Sequence, residues 1–350
     1  MQKVHLWALF ALLSALFTAA CAPSPSVHEL SGEAWGTTYR VKIVASEEAF
    51  DEAATTKALR DTLVRVDNHL SNWNPASEVS RFNAQGSTEP VAVSPAFASV
   101  LAASDQVHRQ SEGFFDVTLA PVIELWGFGS GKPGPDTLAK QPGEVAIREA
   151  LARVGQTKVI AFDPAAPSLR KADPGVSVFL SALAKGAGID AIDTAIRDLG
   201  HTNYLIEVGG DLIAKGPGPS GQGWRIAIEQ PVSGARQMGE VIALNGIAMA
   251  TSGDYRNYFE EGGVRYSHII DPQTGKPITH RTASVTVLSD KAVLADAWAT
   301  ALLAAGEERG RAIAAREGIA ALFISRQAPN DSGEFASAAS PAFEALRGAR

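Results

Sequence analysis

Apolar residues recur at helical spacing through Leu59, Leu63, Val66 and Leu70, which predicts an amphipathic helix over 51–70. Ahead of it, Tyr39, Val41 and Ile43 alternate with polar or small positions, the period of a strand. Ser94 followed by Pro95 has the form of an N-cap and first helical residue, and the helix it opens runs to about Gln110. Glycines and prolines over 132–143 predict a loop, followed by a short helix over 146–154. A helix with small residues near its start covers 181–199, and a strand over 204–208 ends at Gly209 and Gly210. A Gly/Pro-rich turn over 215–223 precedes strands at 224–228, 241–244, 264–270 and 284–288. An apolar helix over 291–305 and a strand over 320–324 complete the pattern. The elements mix without regular βαβ alternation, so the class is α+β. No internal repeat and no clean linker interrupts the chain.

At 350 residues the chain suits one large domain or two intimate lobes. Hydrophobic residues at 45% and charged residues at 20% are the balance of a globular core. The net charge of -7 is spread over interspersed acids and bases with no basic stripe, which argues against nucleic acid as a partner.

The N-terminus carries its own message. Lys3 precedes an apolar run over 6–17, then Thr18, Ala19, Ala20 and Cys21. The run is shorter than the roughly 20 residues that span a bilayer, and its layout is that of a signal peptide over 1–20. Small residues directly before a cysteine resemble a bacterial lipobox, with Thr18 where Leu is usual. Cys21 is then a lipidated N-terminus, 21–30 a tether and the cell envelope the destination, on the periplasmic face of a membrane. Ala22 leans toward outer-membrane sorting if the cell is Gram-negative. Cys21 is the only cysteine, so the mature domain has neither disulfide nor thiolate metal site.

Five stretches place polar, aromatic and glycine residues where a plain core would be apolar. They are 33–39 around Trp35 and Gly36, 71–83 around Trp73 and Asn83, 113–129 opening on Phe114, Phe115 and Asp116, 180–192 around Lys185, and 251–280 with 295–300. Aromatics beside an Asp offer a flat apolar wall with a fixed acceptor, which suits a ring system with polar edges. Equally, the two Phe can be core and Asp116 a helix cap. Small residues at a helix start admit a close ligand, its N–H groups favour phosphate, and Lys185 adds a cation. Asp296 and Thr300, four apart, share one helix face. Their oxygens form a hard set suited to Mg²⁺, and an unpaired Asp on so apolar a helix would be costly.

These stretches together resemble, over nearly the whole chain, the bacterial FAD:protein FMN transferases. The resemblance implies an ApbE-like, T-fold-related architecture over 31–326 with FAD between two lobes. Beyond it lies a C-terminal tail over 327–350, of which 327–340 reads from its Pro, Asp, Ser and Ala content as loosely ordered. It implies FAD contacts from Trp35, Trp73, Phe114, Phe115, Asp116, Phe179, Lys185 and Ile270. It makes Asp296, Thr300 and the carbonyl of Ala182 the magnesium site. Phe179 is a departure, because the family commonly has an Asp there. His268 is the candidate base for the acceptor hydroxyl, with Asp254 and Asp271 as competitors. The implied reaction is magnesium-dependent transfer of FMN from FAD to a threonine of an acceptor flavoprotein in a respiratory or electron-transfer complex. An FAD pyrophosphatase and a non-catalytic lipid-anchored flavin-binding protein are the rival readings.

Overall fold

The computed structural model describes residues 25–129, 141–232, 237–255, 257–262, 264–327 and 334–348. The segment expected as a signal peptide over 1–20, Cys21 and most of the loop expected over 132–143 lie outside these residues. Eight strands form one antiparallel sheet in which spatial order follows chain order. They are β1 (Ser26–Ala34), β2 (Thr37–Ala45), β3 (Tyr204–Val208), β4 (Asp211–Lys215), β5 (Ile247–Gly253), β6 (Thr282–Ser289), β7 (Ala320–Arg326) and β8 (Phe335–Ala339). β6 lies inside the sheet and is buried along almost its whole length, whereas the edge strand β1 only alternates half-buried with exposed positions. Burial on both faces of β6 requires layers on both sides of the sheet.

Four long helices supply one layer: α1 (Glu52–Leu70), α2 (Pro95–Gln110), α3 (Ser181–Asp198) and α4 (Ala292–Glu317). α3 packs on α4 and α1, and α4 lies on β5 and β6. Gly186 makes the α3–α4 approach attainable, because a Cβ there would overlap the carbonyl of Ala292. At the same crossing Asp190 of α3 caps α4, accepting the N–H groups of Ala292 and Val293 at 2.8 and 3.0 Å. The opposite face is covered by a hairpin of two strands, Trp224–Gln230 and Gln237–Leu244, and by the C-terminal helix Pro341–Gly348.

Strong periodicity translated directly. The helix expected over 51–70 is α1, N-capped by Asp51, and the one opened by Ser94 and Pro95 ends at Gln110. Other expectations are corrected. The tether over 21–30 overlaps β1, which is already paired with β2 from Ser26. The tail over 327–350 contributes β8 to the sheet and a helix whose Phe343 is buried. The 71–83 stretch, for which the sequence predicts no helix, runs into a helix over Glu78–Ala84 that Ser77 N-caps. The helix expected to stop at 305 is broken there by Gly306, at φ 76°, and then continues to Glu317. Gly306 gives His280 its place, since a Cβ would sit 2.8 Å from the imidazole.

The long excursion between β2 and β3 builds a second lobe. It carries α1, α2, a small three-stranded sheet and the segment that leads into α3. Between this lobe and one end of the main sheet opens a cleft.

Candidate active site

The cleft has a volume of about 500 Å³ and is lined by Trp73, Phe114, Phe115, Asp116, Phe179, Ala182, Lys185, His268, Ile270, Asp296 and Thr300. Of the candidates whose residues are described, Trp35 does not line it, and neither do the competing bases Asp254 and Asp271. Trp35 and Gly36 form the two-residue turn between β1 and β2, with φ of 53° and 77°. Both angles are positive, as a type I′ hairpin requires, and for a bulky residue that conformation is strained. The indole holds it there. It packs against Gly188 of α3, where any Cβ would overlap the ring, and its N–H reaches the carbonyl of Leu63 at 3.4 Å. Two of the glycines in the 180–192 stretch, Gly186 and Gly188, therefore serve helix packing and the Trp35 ring. The cleft takes Ser181, Ala182 and Lys185 from the first turn and a half of α3.

One end of the cleft is electrostatic. Asp296 is only 4% exposed, and its Oδ2 accepts the N–H of Gly186 at 3.0 Å. In a regular helix that N–H belongs to the carbonyl of Ala182, four residues back. The Asp296 carboxylate thus competes for the donor of the carbonyl expected to join it at a metal. Burial pushes the Asp296 carboxyl above the ordinary range, Lys185 pulls it back and Asp211 raises it further. Lys185 is ion-paired with Asp211, which also accepts the Thr251 N–H at 3.1 Å. When all three are ionised the group carries one negative charge in excess. Thr300 lies one helical turn beyond Asp296, its hydroxyl 3.0 Å from that of Ser252.

A carbonyl, a carboxylate and a hydroxyl are hard oxygen donors, and the excess negative charge favours a divalent cation. No three His, Cys, Asp or Glu side chains converge among the described residues, so a cation here would complete its shell with water or substrate oxygens. Within that limit the residues fit a magnesium ion.

The opposite wall is aromatic and apolar, from Phe114, Phe115, Leu119, Phe128 and Ile270. Asp116 borders it, but its carboxylate is already committed. Oδ1 accepts the Thr118 N–H at 2.8 Å and the Thr118 hydroxyl, while Oδ2 accepts the Gln156 N–H at 2.8 Å. These bonds organise the wall, so Asp116 shapes the cleft with little acceptor capacity left for a ligand.

His268 and its competitors differ in their hydrogen bonding. Its backbone N–H and its Nδ1–H both donate to the carbonyl of Asn257, at 3.1 and 2.9 Å. A carbonyl can only accept, so Nδ1 carries the proton and Nε2 keeps a free lone pair in the neutral ring. Burial lowers the His268 pKa below its ordinary value, which favours that neutral form. Asp254 is instead gripped by Arg326 through two bonds of 2.8 and 2.6 Å. Asp271 ties its own turn, accepting from the Gln273 N–H and the Thr274 hydroxyl.

Several residues of the site escaped sequence reasoning. Asp211 follows Gly209 and Gly210 after a strand and carried only a turn signal. Ser252 lay inside a stretch noted for its polar density, yet nothing local pairs it with Thr300. Asn72 and Asn83 bond to Val178 and Leu180 about a hundred residues away, which no local pattern encodes.

Known proteins share this arrangement. A model of the ApbE family matches residues 35–323. The chain is 40% identical over 317 residues to an FAD:protein FMN transferase of Vibrio cholerae, covering 90% of this chain and 92% of that one. It is 40% identical over 347 residues to that of Haemophilus influenzae, covering 97% and 96%. Among solved structures, the flavin transferase ApbE from Vibrio cholerae superposes with a TM-score of 0.82 at 36% identity, over 92% of this chain and 99% of that one. The apo flavinyl transferase ApbE of Pseudomonas stutzeri gives 0.83 at 36% identity, over 94% and 99%.

Proposed function

The chain belongs to the ApbE family, and from that premise we propose that it transfers FMN from FAD to a threonine hydroxyl of an acceptor flavoprotein, releasing AMP. One observation carries the reading. Asp296 and Thr300 of α4, His268 and the aromatic wall all line one cleft, so the groups needed for a diphosphate, for a proton and for a flat ring stand together.

In this reading the threonine oxygen attacks the FMN-side phosphorus. A new P–O bond forms, the bond to the AMP oxygen breaks, and the hydroxyl proton passes to Nε2 of His268. The fixed Nδ1–H tautomer keeps that atom available without reorganisation. Ala182, Asp296 and Thr300 would hold Mg²⁺, which supplies Lewis-acid neutralisation of the diphosphate when bound. Ser252 keeps the Thr300 hydroxyl oriented. Lys185, paired with Asp211, places a cation beside the phosphates. Phosphoryl transfer depends on such placement and charge more than on covalent help from the enzyme.

The envelope assignment belongs to the same proposal. Cys21 would carry the lipid and bring the domain to acceptors of respiratory or electron-transfer complexes at a membrane. No helix among the described residues is long and apolar enough to cross one. Incubation with FAD, Mg²⁺ and a flavin-acceptor domain tests the reaction. Covalent flavin fluorescence on the acceptor is the expected result. Free FMN and AMP with an unlabelled acceptor would make the protein a pyrophosphatase, and intact FAD would make it a binding protein.

A further inference from the structure

At the mouth of the cleft stands an aromatic pair. Trp73 is 58% exposed, unusual for so large an apolar ring. Its ring meets Phe179 edge-on, with centroids 5.6 Å apart and planes at 60°. No hydrogen bond among the described residues holds the indole N–H, so the contact with Phe179 sets the ring's orientation.

The backbone that carries Phe179 is held on both sides. Its N–H donates to the carbonyl of Val117 at 2.7 Å. Asn72 spans it, donating to the Val178 carbonyl and accepting the Leu180 N–H, both at 2.8 Å. Asn83 holds Val178 through a reciprocal pair of 2.8 Å bonds. Behind Asn83 the buried Lys171 ammonium donates to the carbonyls of Phe82, Asn83 and Pro174. The loop bearing Trp73 is tied as well, through Ser77 to the Ser71 carbonyl at 2.6 Å and Asn74 to Asp67 at 2.6 Å. These bonds fix the backbone from which the half-buried Phe179 ring projects. The result is a ring on a fixed backbone propping one exposed ring.

We infer that Phe179 is a positioning and specificity-determining residue: it holds the Trp73 indole so that its open face stacks on the isoalloxazine ring of the bound dinucleotide. The inference rests on the transferase reading, which also decides which ring is involved. The FMN half must leave attached to a macromolecule, so it occupies the open end of the cleft, where Trp73 stands. Phe179 acts by shape alone, with no hydrogen bond to the ring's polar edge. Selection at the mouth is therefore for a broad flat ring.

The test is calorimetric titration of the full chain with FMN and, separately, with ADP. Phe179→Ala should weaken FMN about three- to ten-fold, the size of one aromatic edge contact, and leave ADP within about two-fold. Phe179→Tyr, which keeps the edge, should restore FMN binding. Trp73→Ala combined with Phe179→Ala should bind FMN no more weakly than Trp73→Ala alone, because the phenyl acts only through the indole. FMN binding unchanged in Phe179→Ala, ADP weakened equally, or additive losses in the double variant would each overturn the inference. Wild-type transfer to an acceptor is scored separately. An unlabelled acceptor alongside the expected FMN pattern would sink the transferase reading and leave the stacking pair intact.

Discussion

Replacing Asp296 by Asn should make the metal-free protein more stable while abolishing its response to magnesium. Asn keeps an acceptor for the Gly186 N–H and removes only the charge. Burial pushes the Asp296 carboxyl from 3.8 up to about 6. A shift of that size corresponds to a penalty on the order of 2–3 kcal/mol for the ionised form at neutral pH. The sign follows from the direction of the shift. A raised carboxyl binds its proton more tightly in the fold, so its favourable contribution is full below 3.8 and lost as pH climbs through about 6. The melting temperatures of apo wild type and Asp296→Asn should therefore converge near pH 4 and diverge by several degrees at pH 7. Magnesium reverses the ranking. At a hundred-fold excess over its dissociation constant it should stabilise wild type by about 2.7 kcal/mol and the variant not at all. Differential scanning fluorimetry with EDTA or MgCl₂ across pH reads all of this without a substrate. Equal apo melting at pH 7, or a preserved magnesium shift in the variant, would refute the reasoning.

His268→Ala should lower transfer by about 10²–10⁴-fold with FAD affinity unchanged by titration. Because burial depresses this histidine, kcat/KM in wild type should fall only on the acid side of 6.5, and the variant should lack that limb. Trp35→Ala should leave FAD binding within about two-fold yet cost about 3 kcal/mol in urea unfolding, since the indole fills the space at Gly188 and does not line the cleft. Arg326→Ala should destabilise by about 3–5 kcal/mol, measured the same way, because it strands the buried Asp254 carboxylate.

Local patterns were enough to read α1, α2, β3, α3 and the first half of α4, together with the class α+β. Amphipathic spacing, the caps Asp51 and Ser94, and Pro95 all act within one or two turns of chain. Family-like stretches also marked most of the residues that line the cleft, including the Asp296–Thr300 pair whose shared face follows from helix geometry alone, but not those that strands bring to it, such as Glu207, Leu212 and Ile226. What those stretches could not supply was the partner of each group. Trp35 and Trp73 look alike in sequence, two indoles at element ends. One is locked against Gly188 and the other left open at the cleft mouth, because helix α3 crosses near the first and only Phe179 stands by the second. In the sequence Asp254 and Asp271 compete with His268, the candidate base; only the fold shows that Arg326 grips Asp254, that Asp271 ties its own turn and that His268 Nδ1 faces the Asn257 carbonyl. Strands β1, β4, β5 and β8 were missed. β1 and β8 lie at the sheet edges with one pairing neighbour each and bury little, whereas the interior strands β4 and β5 are short and flanked by the turn and polar signals of Gly209 and Gly210 and of 251–253, which masked their strand period. Sequence carried the donors, the rings and the periods; long-range packing alone chose which donor meets which acceptor, since that choice depends on segments that come together only when the chain is folded.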